Sequence, residues 1–349
     1  MRIQENIPLA PLTTLGVGGP ARWFVDCEDE ADVAGATNWA KERGTPLFVL
    51  GGGSNLLVAD GGFNGLVMRI SNKGIAKEPT SEDGGRIFQV AAGEDWDAFV
   101  QHTVNDNCAG LECLAGIPGT AGGTPVQNVG AYGQEVASTI TAVRAFDRQQ
   151  NTFISLTNAQ CQFGYRRSRF NCAEKNRYIV TRIEFRLTFG GLPCFRYADL
   201  ERVFAAGLQP SLRDVADAVR DIRRAKGMVI EEGDPDCRSA GSFFKNPVVT
   251  EEVWEHIARR SGTEPPSYPA GDDHPSCVKL SAAWLIQKAG FSKGFAAGRA
   301  AISSKHTLAL VNRGGASASE ILALASQIRS SVSERFSIDL EMEPVMLGF

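Results

Sequence analysis

Short apolar runs in this chain alternate with stretches whose apolar residues recur every three or four positions, the pattern of strands interleaved with helices. Ala21-Arg22-Trp23-Phe24-Val25 predicts a strand, and Val33, Ala36 and Ala40 predict a helical face over 31–43, with Gly44 as its stop signal. Leu47-Phe48-Val49-Leu50 is a continuous apolar run, expected of a strand buried on both faces. It breaks into Gly51-Gly52-Gly53-Ser54-Asn55 and resumes as Leu56-Leu57-Val58. Further strands are predicted over 66–70, 87–90 and 178–185. After Gly93, Trp96, Phe99, Val100 and Val104 share one helical side. Ser211 as N-cap, Asp214 three positions on, and Val215, Val219 and Ile222 on one face predict a helix over 211–226. Ser317-Ala318-Ser319-Glu320 reads as a capping box ahead of a helix with Ile321, Leu324, Ala325 and Ile328 inward.

The chain has 349 residues, which points to more than one domain. Composition breaks at Gly190–Pro193 and at Pro210, and the divisions expected are 1–70, 71–200 and 201–349. With 36 basic and 40 acidic residues the net charge is −4, so the positive footprint of a nucleic-acid binder is missing. No run approaches the ~18–20 apolar residues of a membrane helix. The charged start, Met1-Arg2-Ile3-Gln4-Glu5-Asn6, is unlike a secretory leader, so a cytoplasmic protein is expected. Eight cysteines are scattered without a CxxC pair, which argues against a metal centre and for reduced, mostly packed thiols.

The 37 glycines are bunched, and the bunches carry the candidate chemistry. Gly51, Gly52 and Gly53 leave backbone N–H groups open to a diphosphate, and Ser54 and Asn55 add side-chain donors. The segment fits neither a P-loop nor a GxGxxG fingerprint, and alone it reads equally as a glycine turn. The run from Gly116 to Gly133, with Gly119, Thr120, Gly122, Gly123, Thr124, Val126 and Gly130, is a second neutral, small-residue wall. Two such walls suggest a long ligand such as FAD. In Phe163-Gly164-Tyr165-Arg166-Arg167-Ser168-Arg169 an arginine fork beside a phenol suits a carboxylate, or forms a solvated turn. Ser242, in Ala240-Gly241-Ser242-Phe243-Phe244, lies outside any GxSxG elbow and is a buried serine or a site hydroxyl. Glu341 and Glu343 lie in an apolar tail, where a carboxylate needs a partner or a role.

Taken together, TTLGVGGPA (13–21), LGGGSNLLV (50–58), LAGIPGTAGGTPVQNVGAYG (114–133), CQFGYRRSRF (161–170) and AGSFFKNP (240–247) closely resemble the UDP-N-acetylenolpyruvoylglucosamine reductase family. The match runs in order along nearly the whole chain. Tyr197-Ala198-Asp199-Leu200 resembles the tyrosine loop of its type I branch. The resemblance implies an α+β protein: a two-lobed FAD-binding domain of the vanillyl-alcohol-oxidase type and a C-terminal α+β substrate lobe, with the last strand returning to the active site. It implies non-covalent FAD, NADPH as reductant, UDP-N-acetylglucosamine enolpyruvate as substrate, and a monomer bound to neither membrane nor nucleic acid. By motif position Ser242 is the proton donor, Arg166 holds the substrate carboxylate, and Glu343 assists. The family commonly has Leu-Glu-Pro-Glu-Val where this tail reads Glu341-Met342-Glu343-Pro344, so Glu341 stays an alternative. Tyr132, Tyr165, Tyr197, Lys226, Asn246 and Tyr268 fall at substrate-contacting positions. The acidic stretch 231–238 is expected to be a surface loop, and His306 receives no role. A flavin oxidase would often tether its cofactor through His or Cys, and neither occurs in 51–55 or 116–133. A nucleotide-sugar sensor of the same fold remains an alternative, although Arg166, Ser242 and both carboxylates are present.

Overall fold

The computed structural model describes residues 1–195, 197–204, 209–270 and 276–349. The chain forms two compact units that do not follow it linearly: 1–7, 21–53 and 64–225 make the first, and 8–20, 54–63 and 226–349 the second.

In the first unit, one sheet has the strand order Gln4–Pro8, Pro20–Cys27, Phe63–Ile70, Leu47–Leu50. The helix Glu30–Glu42 starts where the Asp29 side chain accepts the Asp32 N–H, and it buries Val33, Ala36 and Ala40 as the periodicity predicts. Leu47–Leu50 runs parallel to Phe63–Ile70 and is the edge strand, so only Leu50 is fully buried. The expectation of burial on both faces fails because a continuous apolar run does not distinguish an edge strand from a central one.

A second sheet orders Thr152–Thr157, Ile140–Asp147, Tyr178–Phe189, Gly85–Ala91 and Ile75–Lys77, all antiparallel. The helix Trp96–Asn105 packs its predicted face onto it, with Trp96 and Phe99 both within 6 Å of Phe185, centroid to centroid. Each of these three rings is almost wholly buried, which contributes about 1.5–3 kcal/mol apiece relative to exposure. The helix Leu212–Ala225 opens with the reciprocal Ser211–Asp214 bonds that the sequence predicts, and it buries Val215 and Val219.

In the second unit, Ser239–Ser242, Ala309–Asn312, Ala300–Ile302 and Ala296–Ala297 form a sheet under the long helix Ala318–Phe336. The Ser317–Glu320 capping box begins that helix, and Ile321, Leu324, Ala325 and Ile328 are buried. The terminal strand Val345–Leu347 pairs in parallel with Leu56–Val58. The 13–21 motif lies against the same strand. A Cβ on Gly18, whose φ is +111°, would sit 2.4 Å from Val58 Cβ, so only glycine fits. Asn312 fixes this segment by donating to the Leu15 and Gly16 carbonyls, 3.2 Å each.

The stretch 231–238 is a loop, as expected, with Glu232, Gly233, Pro235 and Arg238 exposed, but one residue of it turns inward. Asp236 is fully buried, accepting from the Ser303 hydroxyl at 3.1 Å and the Ser304 N–H at 3.0 Å, and pairing with Arg313 at 2.9 Å. Lys305 holds Asp234 at 2.7 Å. The acidity of the stretch reads as solvation until the basic partners seventy residues later are known. All eight cysteines are free, but only Cys27, Cys108, Cys113 and Cys161 are buried, while Cys172 and Cys194 are exposed. Burial pushes the Cys27 and Cys161 thiols up to about 12, which leaves them protonated and unreactive.

Candidate active site

The first unit holds the glycine walls. The Gly51-Gly52-Gly53 turn leaves the strand Leu47–Leu50 and meets the 116–124 segment backbone to backbone. A Cβ on Gly52 would lie 2.5 Å from Gly119 Cα, and one on Gly51 would lie 3.0 Å from Thr120 Oγ1. The second wall is pinned along 91–96: Trp96 N–H donates to the Gly119 carbonyl, Ala121 to Glu94 and Gly122 to Ala92. The Gly123 and Thr124 amides are used inside the short 3₁₀ turn Ala121–Gly123, and the Thr124 hydroxyl bonds the Ala121 carbonyl at 2.7 Å. Fewer donors face outward than the glycine count suggests.

What remains is distinctive. The Thr120 hydroxyl is buried without a hydrogen-bond partner, and the Gly52 and Gly53 amides donate to nothing among the described residues. A buried orphan hydroxyl costs ~1–3 kcal/mol. A bound oxygen-rich group would remove that cost, so the cradle fits the diphosphate of a dinucleotide.

Further along, Gly130–Ala131 and Gln134–Glu135 form a hairpin whose two-residue turn is Tyr132-Gly133, both at positive φ. Arg166 also sits at positive φ, +55°, in the tight turn closed by reciprocal Gly164 and Arg167 backbone bonds. Non-glycine residues in this region carry strain that persists where the surroundings over-determine it, often at functional sites. The two turns are tied together. Arg166 Nη2 donates to the Gly130 carbonyl at 2.8 Å, and Asn128 Nδ2 donates to Glu135 and Gly164. The Ser168 hydroxyl bonds the Val126 carbonyl at 2.6 Å. Arg166 lies 5.5 Å from the Tyr165 ring centroid.

Tyr132 meets Tyr197 edge to face at 5.2 Å. Burial pushes the Tyr132 phenol above its ordinary value, while a hydrogen bond to Arg223 opposes the shift. Arg223 Nε donates to the Gly116 carbonyl at 3.0 Å, and burial pulls its guanidinium below its ordinary value. Arg223 was missed from sequence, yet it continues the inward Val215–Val219 line by four more positions. A cation on a buried helical face is the signal that was available.

The second unit holds the other candidates. Ser242 ends a bulged strand: Ser239 pairs with Val311 and Ser242 with Ala309, with the extra residue taken up around Gly241 at φ +70°. Such a bulge re-aims the following side chain. The Ser242 hydroxyl has no hydrogen-bond partner among the described residues, and Phe243 and Phe244 beside it are buried. The tail runs against this strand. Glu343 N–H donates to the Phe243 carbonyl at 2.9 Å, and Lys245 N–H to the Glu341 carbonyl at 3.0 Å. Glu343 is therefore bonded one residue from Ser242. Glu341 is instead 70% exposed and pairs with Lys245.

Asn55 Nδ2 donates to the Glu343 carbonyl at 3.2 Å, and its own carbonyl accepts the Val345 N–H at 2.9 Å. Ser54 is held through its carbonyl by Thr14 Oγ1, which also bonds the Ser239 carbonyl at 2.6 Å. Asn246 Oδ1 accepts the Ala282 N–H at 2.9 Å, which starts the helix Ala282–Lys288, so only its amide donors face elsewhere. Lys226 follows the helix Leu212–Ala225, and Tyr268 is 40% exposed on the strand Ser267–Pro269. His306 accepts the Leu308 N–H on Nδ1; burial, with Lys226 and Lys293 adding to it, lowers its pKa to about 4. No group of metal-ligating side chains occurs among the described residues.

Residues 21–155 match the FAD binding domain family, which makes the chain a flavoprotein and agrees with the cradle's fit to a diphosphate. Residues 234–347 match the UDP-N-acetylenolpyruvoylglucosamine reductase C-terminal domain. Proteins of that name from Streptomyces coelicolor and Thermobifida fusca are 47% and 45% identical to this chain. Each alignment spans 99% of the chain, and 91% and 98% of the respective relative. The crystal structure of the Thermus caldophilus enzyme aligns over 99% of both chains with a TM-score of 0.66 at 28% identity. The chain belongs to the UDP-N-acetylenolpyruvoylglucosamine reductase family and is an FAD enzyme.

Proposed function

We propose that this chain reduces the enolpyruvyl group of UDP-N-acetylglucosamine enolpyruvate to give UDP-N-acetylmuramate, a peptidoglycan precursor, with NADPH as reductant. The observation that carries the reading is Ser242: a hydroxyl on a bulged strand, with no hydrogen-bond partner among the described residues, beside the tail that bears Glu343.

FAD, when bound, supplies the hydride that adds to C3 of the vinyl group, having been reduced by NADPH. Charge then develops at C2 and spreads into the adjoining carboxylate. Arg166 binds that carboxylate, and its fixed guanidinium stabilises the charged state more than the ground state. Ser242 gives its proton to C2. A serine hydroxyl is a very weak acid, so it suits a strongly basic carbon and little else. Glu343 assists at the same centre, and Glu341 is assigned no part because it is exposed and paired with Lys245. Tyr132, Tyr165, Tyr197, Lys226, Asn246 and Tyr268 hold the nucleotide sugar. Gly51–Asn55, Gly119, Thr120, Gly122–Thr124, Val126 and Gly130 line the cofactor, with Thr120 and the first glycine turn as the donors.

The test is anaerobic. The purified protein should be yellow, bleach with NADPH and regain its colour when the enolpyruvyl nucleotide sugar is added. Failure to bleach, or recovery only with oxygen, would overturn the reading and favour a flavin oxidase.

A further inference from the structure

One buried polar cluster in the first unit has no part in the chemistry above. Glu112 is 1% exposed and accepts three N–H donors. Its Oε2 takes the Gly110 amide at 2.7 Å; its Oε1 takes the Gln134 side-chain amide at 2.8 Å and the Cys194 amide at 3.2 Å. Gln134 is equally committed. Its Oε1 accepts the Cys113 N–H at 2.9 Å, and its Nε2 also reaches the Cys194 carbonyl at 3.2 Å. Glu112 and Gln134 thus bind the Cys194 peptide from both its N–H and its C=O sides.

The cluster reaches the two tyrosines through the backbone. Gln134 is the first residue after the Tyr132-Gly133 turn, and Cys194 lies three residues before Tyr197. Tyr197 itself caps the helix Ala198–Val203, with its carbonyl accepting from Leu200 and Glu201. Tyr197 is therefore held by that helix, and Cys194, three residues earlier in the chain, is held by Glu112. A carboxylate and an amide sealed from water lose far more when a partner is removed than exposed groups do, so the anchor is stiff.

We propose that Glu112, acting with Gln134, is a positioning residue that holds Tyr197 edge-on to Tyr132 and so sets the affinity for the nucleotide sugar. The kinetic part rests on the function proposed above. In a Glu112→Gln protein, an NH₂ group replaces one of the two acceptor oxygens and is set against either the Gly110 N–H or the Gln134 and Cys194 donors. The KM for the nucleotide sugar should rise roughly tenfold, with kcat nearly constant and flavin reduction by NADPH unchanged. Because Glu112 acts through Tyr197, the double variant with Tyr197→Ala should show no larger KM than Tyr197→Ala alone. Additive effects, or a matching fall in flavin reduction, would overturn the proposal.

The exposed Cys194 thiol provides a readout that needs no substrate. In a Cys172→Ser background, Glu112→Gln should speed modification of Cys194 by an aromatic disulfide reagent, with the labelled peptide identified by mass. An unchanged rate would refute the positioning role outright. Failure of the function reading would show separately, as no reoxidation by the nucleotide sugar. Should Glu112→Gln not accumulate as folded protein, Gln134→Met should move both readouts in the same direction, and no movement there refutes the proposal.

Discussion

In the first unit the wall proposed to hold the cofactor is made of backbone: Gly51 and Gly52 set close against Gly119 and Thr120, with one orphan hydroxyl. In the second unit the corner proposed to deliver the proton is made of side chains, with Ser242 on a bulge and Glu343 on a tail bonded beside it. The difference is one of tolerance. A backbone wall fails when any atom is added, whereas a side-chain corner fails when one functional group is removed and keeps its shape otherwise. Binding and chemistry should therefore separate cleanly under mutation.

The largest effect expected is on the corner. Ser242→Ala should take up FAD and be reduced by NADPH normally, yet reoxidise with the enolpyruvyl substrate about 10²–10⁴-fold more slowly. Stopped-flow absorbance of the flavin follows both phases, and equal slowing of the two would break the comparison. Gly52→Ala should act on the wall instead. Its new Cβ would lie 2.5 Å from Gly119 Cα, an overpacking that weakens FAD binding by roughly 5- to 150-fold as measured by flavin fluorescence titration.

A pH series sharpens the contrast, because the second unit carries a half-buried histidine and the glycine wall carries no titrating side chain. His306 has a pKa of about 4 when folded against an ordinary 6.5, so the unfolded chain binds more protons between those values. Stability is full above pH 6.5 and falls as pH drops toward 4, by about 2–3 kcal/mol from this group. Denaturant midpoints should show that fall, and His306→Gln should flatten it. The smallest effect concerns the two tail carboxylates. Glu343→Gln should slow reoxidation at least ~10-fold, whereas Glu341→Gln, at an exposed pair, should stay within about twofold of wild type. The reverse order would move the active carboxylate to Glu341.

Much of this architecture is legible before any coordinates. Trp96, Phe99, Val100 and Val104 mark a helix because one face must be apolar all along it, and the 317–320 box marks a start because its bonds are local. The glycine walls are legible for the same reason: a run of residues without bulk serves to turn the backbone sharply or to let a neighbour come close. The hidden parts depend on partners far away in the chain. Asp236 looks solvated until Ser303, Ser304 and Arg313 are set around it, and Glu112 looks ordinary until Cys194 is brought to it. Arg166 and Tyr132 were legible as residues, but their left-handed backbone, which fixes where they point, was not.

The division between wall and corner is tested most directly by one crossed measurement: the reoxidation rate of NADPH-reduced Gly52→Ala, saturated with added FAD, beside that of Ser242→Ala. Once filled, the glycine variant should reoxidise at close to the wild-type rate while the serine variant stays slow. A glycine variant that remains slow at saturating FAD, or a serine variant that keeps pace with wild type, would contradict the account.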